Sequence, residues 1–101
     1  MSHAHRTAEL RSIAFHRLVA ERLDRALVAL ARDRVERWLT DDGPVPALWA
    51  KRWLVLLDQP LPVIASALTE DSEKMRDLRQ NTPFAGALTP RERWDILSDV
   101  R

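Results

Sequence analysis

Apolar residues recur every three or four positions in the first part of the chain, which is the spacing of one side of an α-helix. Charged residues occupy the opposite side, and no Gly or Pro occurs before Gly43. Thr7 can cap the start of such a helix, and the segment Asp41–Pro44 can end it, because Gly suits the left-handed position after a helix and Pro cannot continue one. The pattern therefore predicts one long amphipathic helix over about residues 7–40, preceded by a disordered segment 1–6.

The apolar side of this predicted helix changes direction near residue 20. Beyond that point the stripe consists of Ala20, Leu23, Leu27, Leu30, Ala31, Val35 and Trp38. Before it, a second stripe lies on nearly the opposite side and consists of Leu10, Ala14, Phe15 and Leu18. Two interpretations are open: the helix breaks near residues 20–22, or its N-terminal part buries its apolar side against another chain. In the second case the partner contacts would be Leu10, Phe15 and Leu18, with Arg17, Arg22 and Arg25 pairing with acidic groups of the partner.

Four shorter helices are predicted after the long one, at about residues 46–58, 62–68, 70–80 and 90–100. The last of them has the clearest start, because Thr89 and Glu92 have the spacing of a capping box. No segment alternates apolar and polar residues for long enough to form a strand. The predicted fold class is therefore all-α, with one helical domain over residues 7–101 and the shorter helices packed on the long one.

Tryptophan and other large apolar residues in the shorter helices are candidates for the core. Trp49 and Trp53 are four positions apart and share a helix face, either as core anchors or as an aromatic contact for a partner. The other residues predicted to face inward are Met75, Leu78, Trp94 and Leu97.

The amino-acid composition of the chain limits the classes of protein to which it can belong. Of the 101 residues, 46% are hydrophobic and 31% are charged, as in a globular domain, and a formal net charge of +1 provides no overall field for nucleic acid or membrane. There is no Cys, which excludes disulfides and thiolate chemistry, and no apolar run is long enough to span a membrane. We find no metal-binding, phosphate-binding or serine-hydrolase motif. These features predict a cytoplasmic protein that is not an enzyme and uses no cofactor or metal.

One pair of residues nevertheless has the spacing of a catalytic motif. Arg11 and His16 are separated by four residues, as in the HEPN ribonucleases, where an Arg and a His act together on an RNA phosphate. A polar amide or acid usually follows the Arg in that family, whereas this chain has Ser12, and the family's motif lies late in its helical bundle. A HEPN-like ribonuclease is the second alternative function, after the DNA-binding regulator described next.

The first alternative is a DNA-binding regulator. Residues 62–80 have the apolar spacing of a helix-turn-helix unit, with Thr69 in the turn. The second helix would begin with the acidic segment 70–73, which opposes binding to phosphates, so Arg76 and Arg79 would have to supply the contacts.

The C-terminal part of the chain resembles a group of known proteins. The text Leu78-Arg79-Gln80-Asn81-Thr82-Pro83-Phe84-Ala85-Gly86, followed by Leu88-Thr89-Pro90-Arg91-Glu92-Arg93 and Ile96-Leu97, is similar to the end of small all-helical bacterial antitoxins encoded beside nucleotidyltransferase-type toxins. The resemblance covers about a quarter of the chain and includes no catalytic motif. It implies a non-enzymatic protein that binds a cognate toxin and blocks its active site or substrate groove.

These observations predict an antitoxin that binds and neutralises a toxin, within a homo- or hetero-oligomer, with operator DNA as a possible second ligand. Pro83 and Phe84 join the partner contacts named above, because an aromatic residue in a Pro/Gly loop is easily presented to another protein. Phe84 has an alternative position as a lid folded back over the small core.

Overall fold

The computed structural model describes residues 3–41 and 43–100, and within these ranges the protein is all-helical. The helices are α1 (His3–Glu21), α2 (Arg25–Thr40), α3 (Ala47–Leu57), α4 (Leu61–Leu68), α5 (Glu73–Gln80) and α6 (Pro90–Asp99), with a single 3₁₀ turn at Ala85–Ala87. No strand occurs in the described ranges, so the all-α prediction is confirmed. None of these helices is both long and apolar enough to cross a membrane.

The predicted long helix is two helices, because the chain breaks between Glu21 and Arg25. The amide of Arg22 donates to two carbonyls, that of Leu18 at 3.3 Å and that of Val19 at 3.1 Å. The last turn of α1 therefore tightens before the chain leaves the helix. Asp24 then starts α2, since its carboxylate accepts a hydrogen bond of 2.8 Å from the amide of Leu27. One continuous helix over 7–40 is therefore wrong, and the alternative of a break near residue 20 is the one that forms.

The remaining helix ends follow local capping chemistry. Helix α5 begins at Glu73 rather than at residue 70, because the Ser72 side chain accepts a hydrogen bond from the amide of Met75 at 3.2 Å. The capping box predicted for α6 is confirmed, with Thr89 and Glu92 each bonded to the other's backbone amide.

Two sequence-based expectations fall partly outside the described ranges. Residues 1–6 were expected to be disordered, but α1 begins at His3, because nothing in that segment stops a helix; Met1 and Ser2 lie outside the described residues. Of the terminating segment 41–44, Asp42 also lies outside them. The chain around it does end α2 as expected, with the amide of Gly43 bonded to the carbonyl of Trp38 at 2.8 Å.

The core lies between two layers of helices. Helices α2 and α3 pack closely together, and α1 contacts α4, α5 and α6. Trp53 is fully buried, donates a hydrogen bond of 3.1 Å from Nε1 to the carbonyl of Leu78, and meets the Phe84 ring edge to face at 5.9 Å. Met75 and Leu78 are also buried. The predicted core roles of Trp53, Met75 and Leu78 are therefore confirmed.

Helix α2 turns most of its predicted stripe toward the core, with Leu27 and Trp38 packed against the buried cluster. Helix α2 buries Val28, Ala31 and Val35, whereas Leu30, which belongs to the predicted stripe, is exposed. The inward stripe predicted for residues 20–38 is therefore confirmed except at Leu30.

Candidate functional site

The largest departure from the expected core is on α6, which has no buried residue among those described. Trp94 and Leu97 were expected to face inward, but their side chains are 64% and 46% exposed. They are three residues apart and so share one face of the helix. The prediction for these two residues is wrong because α6 packs mainly on α1, with Ile96 half-buried, and the opposite side of α6 remains open to solvent.

A shallow groove of about 310 Å³ lies where α1 meets the end of α6. Leu10, Ile13 and Ala14 of α1 and Val100 beyond α6 provide its apolar lining, and Arg17 and Asp99 complete it. Leu10 is 39% exposed. The groove and the Trp94–Leu97 face share no lining residue, but both lie on this pair of helices, and together they are called the α1–α6 surface below. Its composition, aromatic and aliphatic side chains with arginine nearby, is typical of protein-binding sites.

Of the apolar contacts predicted on α1, only Leu10 is clearly exposed. Phe15 packs against the core, with the guanidinium of Arg93 over its ring at 5.7 Å, and Leu18 is half-buried. The break lets α1 turn this stripe toward other helices of the same chain. A second chain is therefore not needed to cover Phe15 and Leu18.

The three predicted arginine contacts have different surroundings. Arg17 is exposed at the groove, and Arg25 is exposed in the first turn of α2. Arg22 pairs with Glu92, with 2.9 Å between Nη1 and Oε1, and so links the end of α1 to the start of α6. Arg17 and Arg25 are thus open to a partner's acids, while Arg22 already has one.

The loop before α6 faces inward. Phe84 is 1% exposed against Trp53, Pro83 is buried, and Arg34 donates a hydrogen bond of 3.1 Å to the Pro83 carbonyl. Pro83 and Phe84 therefore cannot touch a partner in this conformation. The alternative position of Phe84 as a lid over the core is confirmed.

His16 and Arg11, the pair that resembles a ribonuclease motif, are held by bonds within the chain. The Nδ1 of His16 lies 2.8 Å from the carbonyl of Ser12, and Nε2 lies 2.9 Å from Oγ1 of Thr82. A carbonyl only accepts, so Nδ1 carries the proton and Nε2 accepts from the hydroxyl. Burial is the main cause that lowers the pKa of His16 to about 4. Both ring nitrogens are thus engaged in hydrogen bonds within the chain. Nε of Arg11 also donates to the carbonyl of Val100 at 2.8 Å. This geometry gives little support to proton transfer on RNA.

The arginines of the helix-turn-helix-like unit also form their contacts within the fold. Arg79 is buried, and its Nη1 donates to the carbonyls of Leu68 and Glu70 at 3.2 and 2.7 Å, which satisfies the end of α4. Arg76 pairs with Glu9 of α1 at 3.0 Å. The two arginines on which DNA contact would depend are therefore structural, and replacing them would test folding rather than DNA binding.

The sequence held a signal for the α1–α6 surface that the core prediction overlooked. Trp94 and Ile96 are two positions apart and point to different sides of a helix, so both cannot face the same core.

Among the residues that the structure describes, no group of His, Asp and Glu could hold a metal ion. Comparisons with protein-family models, with curated proteins and with solved structures find no match for this chain.

Proposed function

We propose that this protein is a non-enzymatic antitoxin that binds its cognate toxin, of the nucleotidyltransferase type, through the α1–α6 surface. The observation that carries the proposal is the exposure of Trp94, at 64%, on a helix with no buried residue among those described. A large aromatic side chain on a peripheral helix is the kind of anchor that dominates binding energies when a partner's pocket surrounds it. The resemblance of about a quarter of the chain, mainly residues 78–97, to antitoxins supports the class of partner.

The charges around this surface indicate what the partner presents. Arg17 lies at the groove together with Asp99, and Arg91 and Arg93 project from exposed positions on α6, where Arg91 pairs with Asp95 at 3.4 Å. A guanidinium can pair with a carboxylate through two parallel hydrogen bonds, which adds orientation to the apolar contact. The partner surface that fits best is an apolar pocket for Trp94 with acidic groups at its rim.

Neutralisation by such contacts needs no cofactor. A nucleotidyltransferase binds phosphates and metal ions in an acidic cleft, and a helix with an aromatic anchor and arginines can occupy such a cleft. The toxin would then be blocked by steric exclusion of its substrate. Binding of operator DNA and the ribonuclease activity remain alternatives with less support, because Arg76, Arg79, Arg11 and His16 all have partners within the fold.

The proposal predicts that Trp94→Ala weakens the complex by about thirtyfold or more, the effect of removing an anchor residue from an interface. The measurement is co-expression with the product of the neighbouring reading frame, followed by purification and titration of the two separated chains. Val55→Ala is the matched control, because Val55 is an equally exposed apolar residue on α3, away from the α1–α6 surface. The affinity of this control should equal that of the wild type.

Three outcomes would contradict the proposal. Failure of the two gene products to co-purify would remove the antitoxin assignment. Equal affinities of Trp94→Ala and the wild type would exclude α6 from the interface. A homodimer that Trp94→Ala dissociates would mean that a second copy of this chain, and not a toxin, covers the surface.

A further inference from the structure

A cleft of about 330 Å³ opens between α1, α6 and the loop that carries Thr82 and Ala85. Its size is at the lower end of the range of small-molecule sites. Phe15 of α1 and Ile96 and Leu97 of α6 provide the apolar part of its lining. The cleft therefore has an apolar interior large enough for a short aliphatic chain or a single aromatic ring.

Three arginines line the same cleft. Arg93 stands over the Phe15 ring, with the guanidinium carbon 5.7 Å from the ring centre. Arg11 uses Nε for the carbonyl of Val100, and Arg79 uses Nη1 for two carbonyls at the end of α4. Because a guanidinium has five N–H donors, each of these anchored arginines keeps further donors beyond the bonds that orient it. The anchoring bonds fix the position of the charges and leave the side chains able to bind an anion.

No acidic side chain occurs among the described residues that line the cleft. Its histidine, His16, is neutral near pH 7, because both ring nitrogens are hydrogen-bonded within the chain and its burial opposes a positive charge. Among the neighbouring acids, Glu92 is bonded to Arg22 and Glu9 to Arg76, whereas Asp71 and Glu70 interact with the charge of Arg79, so Arg11 and Arg93 carry most of the free positive charge. The cleft thus combines positive charge with an apolar wall, and that combination favours a ligand with an anionic group and an apolar part.

We infer that this cleft is a binding site for a small apolar carboxylate, with its hydrocarbon part against Phe15, Ile96 and Leu97 and its carboxylate on Arg93 and Arg11. The carboxylate can belong to a free acid or to the C-terminus of a peptide that ends in an apolar residue. Either source supplies the same planar, bidentate acceptor for a guanidinium. The site shares Arg93 and Leu97 with the surface proposed to contact the toxin, but binding of the small acid requires no toxin.

Titration of the full chain alone tests this site with three probes, namely octanoate, octanol and inorganic phosphate. Octanoate is expected to bind one site with a Kd below about 1 mM, and octanol and phosphate about tenfold or more weakly, because each lacks one of the two contacts. Amide shifts in a ¹⁵N NMR spectrum should be largest at residues 11–16, 82–85 and 93–97. A peptide ending in Leu, with a free or an amidated C-terminus, distinguishes the two sources of the carboxylate.

Two variants make the assignment specific. Arg93→Gln removes an exposed cation that stands over the Phe15 ring and should weaken octanoate binding about tenfold. Arg91→Gln is the matched control on the same helix, outside the cleft, and should leave the Kd unchanged. Ala85→Leu adds bulk at the cleft wall and should also weaken binding.

The proposal is overturned if octanoate shows no saturable binding, if octanol or phosphate binds as tightly as octanoate, or if Arg93→Gln binds it like the wild type. Because the toxin is absent from every arm, a failure here leaves the antitoxin proposal standing. Failure of the antitoxin proposal likewise leaves the small-acid site standing.

Discussion

Trp53→Ala is expected to lower the free energy of unfolding by about 4 kcal/mol, a large part of the stability of a domain of this size. Trp53 is fully buried, and its ring supports the edge of Phe84. Its removal leaves a cavity between α3, α5 and the loop before α6, and it leaves the Leu78 carbonyl without the 3.1 Å hydrogen bond from Nε1. Urea denaturation followed by far-ultraviolet circular dichroism gives this difference directly.

The chain offers a control with the same chemical change. Trp94→Ala removes an identical side chain from an exposed position and should change stability by less than about 0.5 kcal/mol. Trp53→Phe keeps most of the ring and loses the hydrogen-bond donor, so its effect should fall between the two. A denaturation midpoint for Trp53→Ala equal to that of the wild type would contradict the packing described for the core.

Stability should also fall in mild acid, because His16 is buried in its neutral form. The pKa of His16 is lowered by burial from 6.5 to about 4 in the folded protein. Between these two values the unfolded chain binds the proton more readily than the folded chain, so protonation favours unfolding. The contribution of His16 is complete above about pH 6.5 and is lost as the pH falls toward 4, for a total of about 3 kcal/mol. Urea midpoints measured at intervals between pH 7.5 and 4 check this slope.

Carboxylates begin to titrate at the lower end of the same range, so the wild type is compared with His16→Gln. Glutamine is polar but does not titrate, and the variant should be less stable at pH 7.5 with a flatter dependence of stability on pH. Parallel curves for the two proteins would contradict the assignment of the acid effect to His16.

Elements with a strong local signal could be predicted from the sequence. The capping box at Thr89 and Glu92, the apolar spacing of Met75 and Leu78, and the change of stripe near residue 20 all follow from residues within one or two helical turns of each other. The sequence left two interpretations of that change open, because a broken helix and an unbroken helix with a partner have the same pattern.

Features that depend on contacts between distant segments could not be predicted. At the edge of the stripe on α2, Val28 is buried and Leu30 is exposed, because packing against α3 decides which of the two faces inward. Phe84 has no periodic neighbours, and its position depends on the edge of Trp53. His16 finds its second hydrogen-bond partner in Thr82, sixty-six residues away. The side chain of Trp94 faces solvent because no described residue packs over that side of α6.

The central claim, that a partner protein covers the α1–α6 surface, is tested most directly by amide hydrogen exchange of this chain alone and in complex with the product of the neighbouring reading frame. The account predicts that binding slows exchange in residues 10–17 and 90–99 and leaves α3 and α5 unchanged, since α3 and α5 contribute nothing to that surface. Slower exchange confined to α3 or to residues 61–80, with α6 unaffected, would contradict it.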